Sequence, residues 1–214
     1  FKSMVSTLSD SLGKLTSVTG WNGVSATSSK SDLVTVSAVG GASPTSFSVQ
    51  VQNLAKAQSS ISASLQPAKE PVGAGTIKLE VGAWAGTPKT FTAAKADAVN
   101  IEVSATDTLA DIAGKINGSG ANVTATILND ASGERLMLRS KSTGEEAGYQ
   151  LSVTDADGTQ GDNTGLSRLV TGSTTEFAQN ANATVNGIAV TSPTDAFADT
   201  VAGVTFTAKA TTTD

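Results

Sequence analysis

The chain contains no cysteine and no histidine. The first absence removes disulfides and thiol nucleophiles, and the second removes the histidine general base. Together they remove the usual ligands of a zinc site. Lack of cysteine is by itself neutral on compartment. Aromatic residues are only 4% of the 214 residues. Any core must therefore be built from Val, Ile, Leu and Ala, a composition that suits sheets more than helix bundles. Charge is also sparse, at 15%, with 14 basic and 19 acidic residues giving a net −5. No Lys/Arg cluster is present. The sequence thus argues against nucleic acid bound through phosphate neutralisation and against a polybasic membrane patch. No apolar run approaches the roughly 18 residues that span a bilayer. No charged start with an apolar middle marks a signal peptide. No pattern asks for a cofactor.

What is present reads as short strands. Ser46 to Gln58 begins with Phe47, Val49 and Val51 alternating against Ser48, Gln50 and Gln52. The alternation slips at Asn53, which predicts a bulge or a change of strand partner. Asp32 to Ala38 reads as a preceding strand, and the turn signal Gly40–Pro44 between them predicts a hairpin. Upstream, Phe1, Met4, Val5, Leu8, Leu12 and Leu15 fall at spacings of three and four. They predict an amphipathic helix over Phe1 to Leu15. Its pattern is already in progress at Phe1, so a stub of a longer helical stalk is expected, and the stripe is the candidate helical-packing or oligomer contact.

Ser59 to Gly75 is Ser-rich and holds Pro67 and Pro71, which reads as a domain boundary. Thr76–Val81 and Asn100–Val103 read as strands, with a loop around Trp84, Gly86 and Pro88. Thr108 and Asp111 form a capping box ahead of Leu109, Ile112 and Ile116, which predicts a helix. Val123–Ile127 and Arg135–Arg139 flank the turn Asn129–Gly133 as a hairpin, and Tyr149–Val153 closes the set. After a loop at Asp155–Asp162, Asn182–Gly187 and Ile188–Val190 form a strand pair, and Gly203–Ala208 is the last strand. The expected fold is mainly β with minor α. A β-domain made from residues 24–65 and 170–210 carries an inserted α+β domain, 66–168, and residues 1–17 form the helical stub. Tandem, uninserted domains are the alternative.

No catalytic, cofactor or metal site emerges. Asp155, Asp157 and Asp162 invite a calcium reading. However, Gly158 stands fourth from Asp155 where an EF-hand needs its glycine sixth, and the twelfth position is Leu166. A solvated Asx-type turn fits better. Glu145 and Glu146 are adjacent, whereas a glycosidase needs two carboxylates facing across a cleft. Ser28-Ser-Lys30 and Ser140-Lys141 lack the companion motifs of a Ser–Lys enzyme. Trp21 and Trp84 are each expected to cover the edge of a small core, with interface contact as the alternative.

The words Ser46-Phe-Ser-Val-Gln-Val-Gln-Asn-Leu-Ala-Lys-Ala-Gln58, Gly73–Gly82, Asp107–Asn117, Val123–Gly133, Arg135–Gly144, Ala178–Val190 and Val201–Phe206 resemble, in order and spacing, the bacterial flagellar filament cap family, hook-associated protein 2 (FliD). The middle words more distantly resemble the inserted domains of flagellins. The resemblance covers about Phe1 to Ala208 and implies the head domains of a cap with a stub of leg. It implies a non-enzymatic assembly protein that forms a ring at the filament tip and promotes flagellin polymerisation. The partners so implied are flagellin subunits, its own copies and neighbouring hook-associated proteins, without nucleic acid or membrane. The implied location is the extracellular flagellum tip, reached through the flagellar export apparatus without a cleaved signal peptide. The absence of cross-links suits that route. The competing reading is a surface adhesin or carbohydrate-binding β-module.

Overall fold

The computed structural model describes residues 24–40, 42–95 and 98–212. The expected helix Phe1–Leu15, with its stripe Phe1, Met4, Val5, Leu8, Leu12 and Leu15, lies outside the described residues. The first strands are β1 (Val34–Ala38), β2 (Val49–Asn53), β3 (Ser59–Ile61), β4 (Gly75–Ala85), β5 (Thr90–Ala93) and β6 (Val99–Val103). Helix α1 (Leu109–Gly118) follows. After it come β7 (Val123–Asp130), β8 (Gly133–Ser140), β9 (Gly148–Asp155) and β10 (Thr174–Glu176). The last four are β11 (Ala181–Val185), β12 (Ile188–Ser192), β13 (Ala196–Val201) and β14 (Val204–Ala208). The chain is mainly β, as its composition predicts.

Two compact units result. One combines the chain up to Leu54 with the chain from Ala181, and the other is Ala55–Asn180. These cuts fall outside the expected limits of 66 and 168. The cause is visible in the Ser-rich stretch. Ser59–Ile61 is not a linker but β3, paired with β8 and β10. Its neighbours Leu65 and Val72 are buried in the middle core. The serines there bond inward: Ser62 donates its amide to the Leu136 carbonyl at 2.9 Å and its hydroxyl oxygen accepts the Leu136 amide at 2.9 Å. Composition suggested solvation because a serine reads the same whether water or a neighbouring strand satisfies it.

In the outer unit the expected β1–β2 hairpin does not form. Strand β1 pairs antiparallel with β14, matching Val34 to Ala208 and Val36 to Phe206. Strand β2 pairs with β11, matching Val49 to Val185 and Val51 to Ala183. Residues 39–48 are too many for a tight hairpin turn to fix the pairing. Burial decides instead: β14 alternates buried Val204, Phe206 and Ala208 with half-buried Thr205 and Thr207. The slip in the β2 pattern is a bulge, for the register shifts where Asn53 and Val51 face Asn182 and Ala183. Large side chains are few, and the stacked Phe197 and Phe206 rings, 4.6 Å apart at 8°, supply much of the bulk.

In the middle unit, the capping box forms as predicted. The Asp111 amide donates to Thr108 Oγ1 at 3.3 Å and the Thr108 amide donates to Asp111 Oδ2 at 2.9 Å. Helix α1 buries Leu109, Ile112, Ala113 and Ile116. Strands β7 and β8 form the expected hairpin through Asp130–Gly133. Strand β4 is longer than expected and takes in Trp84, which pairs with Phe91 of β5, so Trp84 is not in a loop. Gly82 makes this possible. Its position is squeezed between β5 and β9, where a Cβ would sit 2.1 Å from the Thr92 carbonyl oxygen.

Tyr149, the sole tyrosine, is buried where these sheets meet. Burial pushes its phenol up to about 12, partly offset by the Ser60 bond. Its hydroxyl lies 2.6 Å from Ser60 Oγ and donates to the Leu138 carbonyl at 3.0 Å. Gln58, 2% exposed, grips the same residue's backbone. Its Nε2 donates to the Tyr149 carbonyl at 2.7 Å, and its Oε1 accepts the Tyr149 amide at 3.0 Å. The side-chain amide stands in for a neighbouring strand.

Two outcomes are expected. Gln58→Ala should destabilise by about 2–4 kcal/mol in denaturant unfolding, since it strands two buried backbone groups. Gln58→Glu should not rescue, because a carboxylate cannot donate to the Tyr149 carbonyl. Second, we expect residues 55–180 alone to melt cooperatively. A fragment 66–168, lacking Gln58, β3, Leu65 and Leu169, should melt lower or without cooperativity when followed by circular dichroism.

Candidate functional site

The residues weighed and set aside as catalytic candidates take part in local structure. Ser140 Oγ donates to the Ala147 carbonyl at 2.6 Å, and Lys141 Nζ donates to the Ala121 carbonyl at 3.0 Å. The pair fastens two loops. Ser28 Oγ accepts the Lys30 amide at 3.3 Å, a local turn. Glu145 and Glu146 open a single 3-10 turn and are exposed.

The acidic loop is tighter than its spacing suggests. Asp155, Asp157 and Asp162 bring carboxylate oxygens within 4.8 Å of one another. Each is already engaged by donors of its own loop. Asp155 Oδ2 accepts the Ser167 amide at 2.9 Å. Asp157 Oδ1 accepts the Thr159 amide at 2.8 Å, and Asp162 Oδ1 accepts the Thr164 amide at 3.1 Å. The Thr164 hydroxyl lies 2.9 Å from Asp157 Oδ2 and 2.7 Å from Asp162 Oδ2, bridging the two. Thr164's hydroxyl and amide hold the Asp162 carboxyl below its ordinary value. Gly165 is required here. Its φ is +50°, and a Cβ would lie 2.3 Å from Asp155 Oδ2. The loop is an Asx-rich scaffold with its own donors.

Two further turns hold ionised carboxylates. The Lys115 ammonium, then the Ser104 amide and hydroxyl, bring Asp107 down to about 2. The Ser132 hydroxyl, then Arg135, bring Asp130 down to about 2. Both are surface turns beside α1 and the β7–β8 hairpin.

Trp84 stands between two other aromatic rings. Its centroid is 5.1 Å from Phe91 and 5.3 Å from Phe177, with interplanar angles of 50° and 55°. Lys89 Nζ lies 5.6 Å over the Phe177 ring. The indole N–H donates to the Tyr149 carbonyl at 2.9 Å, beside the Gln58 amide. Trp84 thus buttresses that clamp at the edge of the core.

The outer unit holds a cleft of about 1100 Å³. It is lined by β1, β14, β2 and the segments 24–30 and 42–48, with Val36, Phe47, Val49 and Phe206 among its walls. Lys30 is the one charged lining residue among those described. This cleft is not legible in the sequence, because it arises only when β1 and β2 take distant partners.

Comparison with known proteins accords with this architecture. Residues 1–58 match the family model for the flagellar hook-associated protein 2 N-terminus, and residues 89–142 match the flagellin hook IN motif. The chain is 31% identical over 228 residues to the B-type flagellar hook-associated protein 2 of Pseudomonas aeruginosa, covering 99% of this chain and 45% of that protein. It thus spans about half the length of the curated relative it matches. Among solved structures, it is similar to the D1-D2-D3 domains of the flagellar cap protein FliD from Escherichia coli. That match has a TM-score of 0.77 at 25% identity, over 100% of this chain and 61% of the other. It is also similar to FliD (HAP2) of Pseudomonas aeruginosa PAO1, with a TM-score of 0.65 at 27% identity, over 84% and 80% respectively.

The carboxylates set two expectations. The thermal midpoint should be the same in millimolar calcium and in chelator; a rise of several degrees with calcium would identify a native-state site. Asp107 and Asp130 have folded values near 2 against an unfolded reference of 3.8. Their stabilisation is therefore present above about pH 4 and lost as pH falls toward 2. Lys115→Met should flatten that part of the stability–pH curve, read by denaturant midpoints at pH 4, 3 and 2.

Proposed function

This chain belongs to the flagellar hook-associated protein 2 family, and on that premise we propose that its two β-rich units are the head of a flagellar filament cap. The observation that carries the reading is the agreement of order with fold. The hook IN match at 89–142 falls on β5, β6, α1, β7 and β8, and the N-terminal match ends at Gln58, the residue that clamps β9. Its work would be assembly and not catalysis. Copies would form a ring at the filament tip, outside the cell, and guide flagellin subunits into place beside neighbouring hook-associated proteins. A cysteine-free chain suits passage unfolded through an export channel. Among the described residues no helix is long and apolar enough to cross a membrane. The adhesin reading is not favoured. A sugar platform needs an open aromatic face, whereas Trp84 is flanked by Phe91 and Phe177.

In this reading the stripe Phe1, Met4, Val5, Leu8, Leu12 and Leu15 packs in the helical leg, because a short helix gains stability mainly by burying its apolar face. The full-length protein should sediment as a closed ring as concentration rises and should alter flagellin polymerisation at filament ends. Leu8→Glu with Leu12→Glu should weaken the ring while the head units keep their circular dichroism spectrum. A full-length protein that stays monomeric and leaves polymerisation unchanged would sink the reading.

A further inference from the structure

The pair Asn-Gly occurs three times in the sequence. Asn117-Gly118 and Asn186-Gly187 are among the described residues, and the third, Asn22-Gly23 after Trp21, lies outside them. Such a pair is chemically reactive, because glycine has no Cβ to keep its amide nitrogen away from the preceding side chain. The fold treats the two described pairs differently.

Asn117 and Gly118 end helix α1. Both ends of the Asn117 amide are held by one residue of β7. Its Nδ2 donates to the Ala125 carbonyl at 2.9 Å, and its Oδ1 accepts the Ala125 amide at 2.8 Å. The Gly118 nitrogen belongs to the helix. Bringing the Asn117 side chain onto it breaks both bonds.

Asn186 and Gly187 are the two exposed residues of the β11–β12 turn, with φ of +48° and +83°. Val185 pairs with Ile188, so the Gly187 amide stands outside the ladder. The space beside Gly187 is open: a Cβ there would meet nothing within 4 Å. Asn186 Oδ1 accepts the Ser48 amide at 2.9 Å and the Ser48 hydroxyl at 3.3 Å, whereas no described residue accepts from its Nδ2. Two donors thus sit on the oxygen that gains charge when a nucleophile adds to Cγ, and the leaving nitrogen is unrestrained.

We propose that Asn186 is a self-modification site of the folded protein. The Gly187 nitrogen bonds to Cγ and the Cγ–Nδ2 bond breaks. Nδ2 leaves as ammonia, taking up the Gly187 amide proton through water. The succinimide so formed adds water at either carbonyl and opens to aspartate or isoaspartate. Either product puts a negative charge into the stretch Phe177–Thr194, which has no charged residue. Isoaspartate also adds a backbone carbon to a two-residue turn and displaces the acceptor of Ser48, a wall residue of the cleft.

The whole chain is incubated at neutral pH, folded and in denaturant, and both sites are followed by peptide mass spectrometry. In denaturant the two pairs should react at similar rates. Folding should slow Asn117 by at least about tenfold, since two hydrogen bonds must break. Asn186 should react in the folded protein as fast as in denaturant or faster, and part of its product should be labelled by isoaspartyl methyltransferase. Folding that slows Asn186 as much as Asn117 would overturn the proposal. So would a folded protein whose Asn186 stays intact over the time in which the denatured chain is fully converted.

Discussion

The side-chain amide of Gln58 is the contact on which the middle unit depends. The chain has little aromatic bulk, and the core of this unit is mostly aliphatic, packing that by itself gives little direction to how its sheets meet. Instead one buried amide satisfies both backbone groups of Tyr149, while the Gln58 carbonyl accepts the Ser140 amide at 2.9 Å. Strands β8 and β9 are thereby tied to the segment that has just left β2. Tyr149 extends the network through Ser60 and Leu138, and Trp84 closes over it. Buried polar groups are costly unless each is paired. Among the described residues, no buried side-chain polar atom lacks a partner.

Around that clamp the protein is held by many small terms. Ion pairs such as Lys78–Glu80, at 3.0 Å, lie near the surface and contribute little. The hydroxyls of Ser and Thr do more, because they replace water inside strands and loops. Ser62 joins β8, and Thr164 bridges two aspartates. The outer unit follows the same economy with Val and Ala, and its stacked phenylalanines supply much of the bulk.

This architecture suits a protein that works by its surfaces. Several carboxylates and hydroxyls of the described residues are engaged in turns and caps, among them Asp107, Asp111, Asp130, Asp162 and Thr164. The acidic loop, the Ser–Lys pairs and the adjacent glutamates each resolve into local scaffolding.

Much was legible locally. The capping box of Thr108 and Asp111, the β7–β8 turn, the alternation of β14 and the bulge after Val51 are each set by residues within a few positions, so the sequence alone determined them. The family words carried the order of these pieces, and the missing cysteine and histidine excluded whole chemistries. Tertiary structure alone decided partners and burial. β1 and β2 abandon each other for β14 and β11, β3 emerges from a Ser-rich stretch, Trp84 moves from a loop into β4, and three aspartates of unsuitable spacing converge in one loop. The cleft was invisible for the same reason. Hydrogen-bonding capacity and hydrophobicity are local properties of residues, but which strand satisfies them is settled by the burial gained across long loops. That quantity belongs to the folded chain and not to any segment of it.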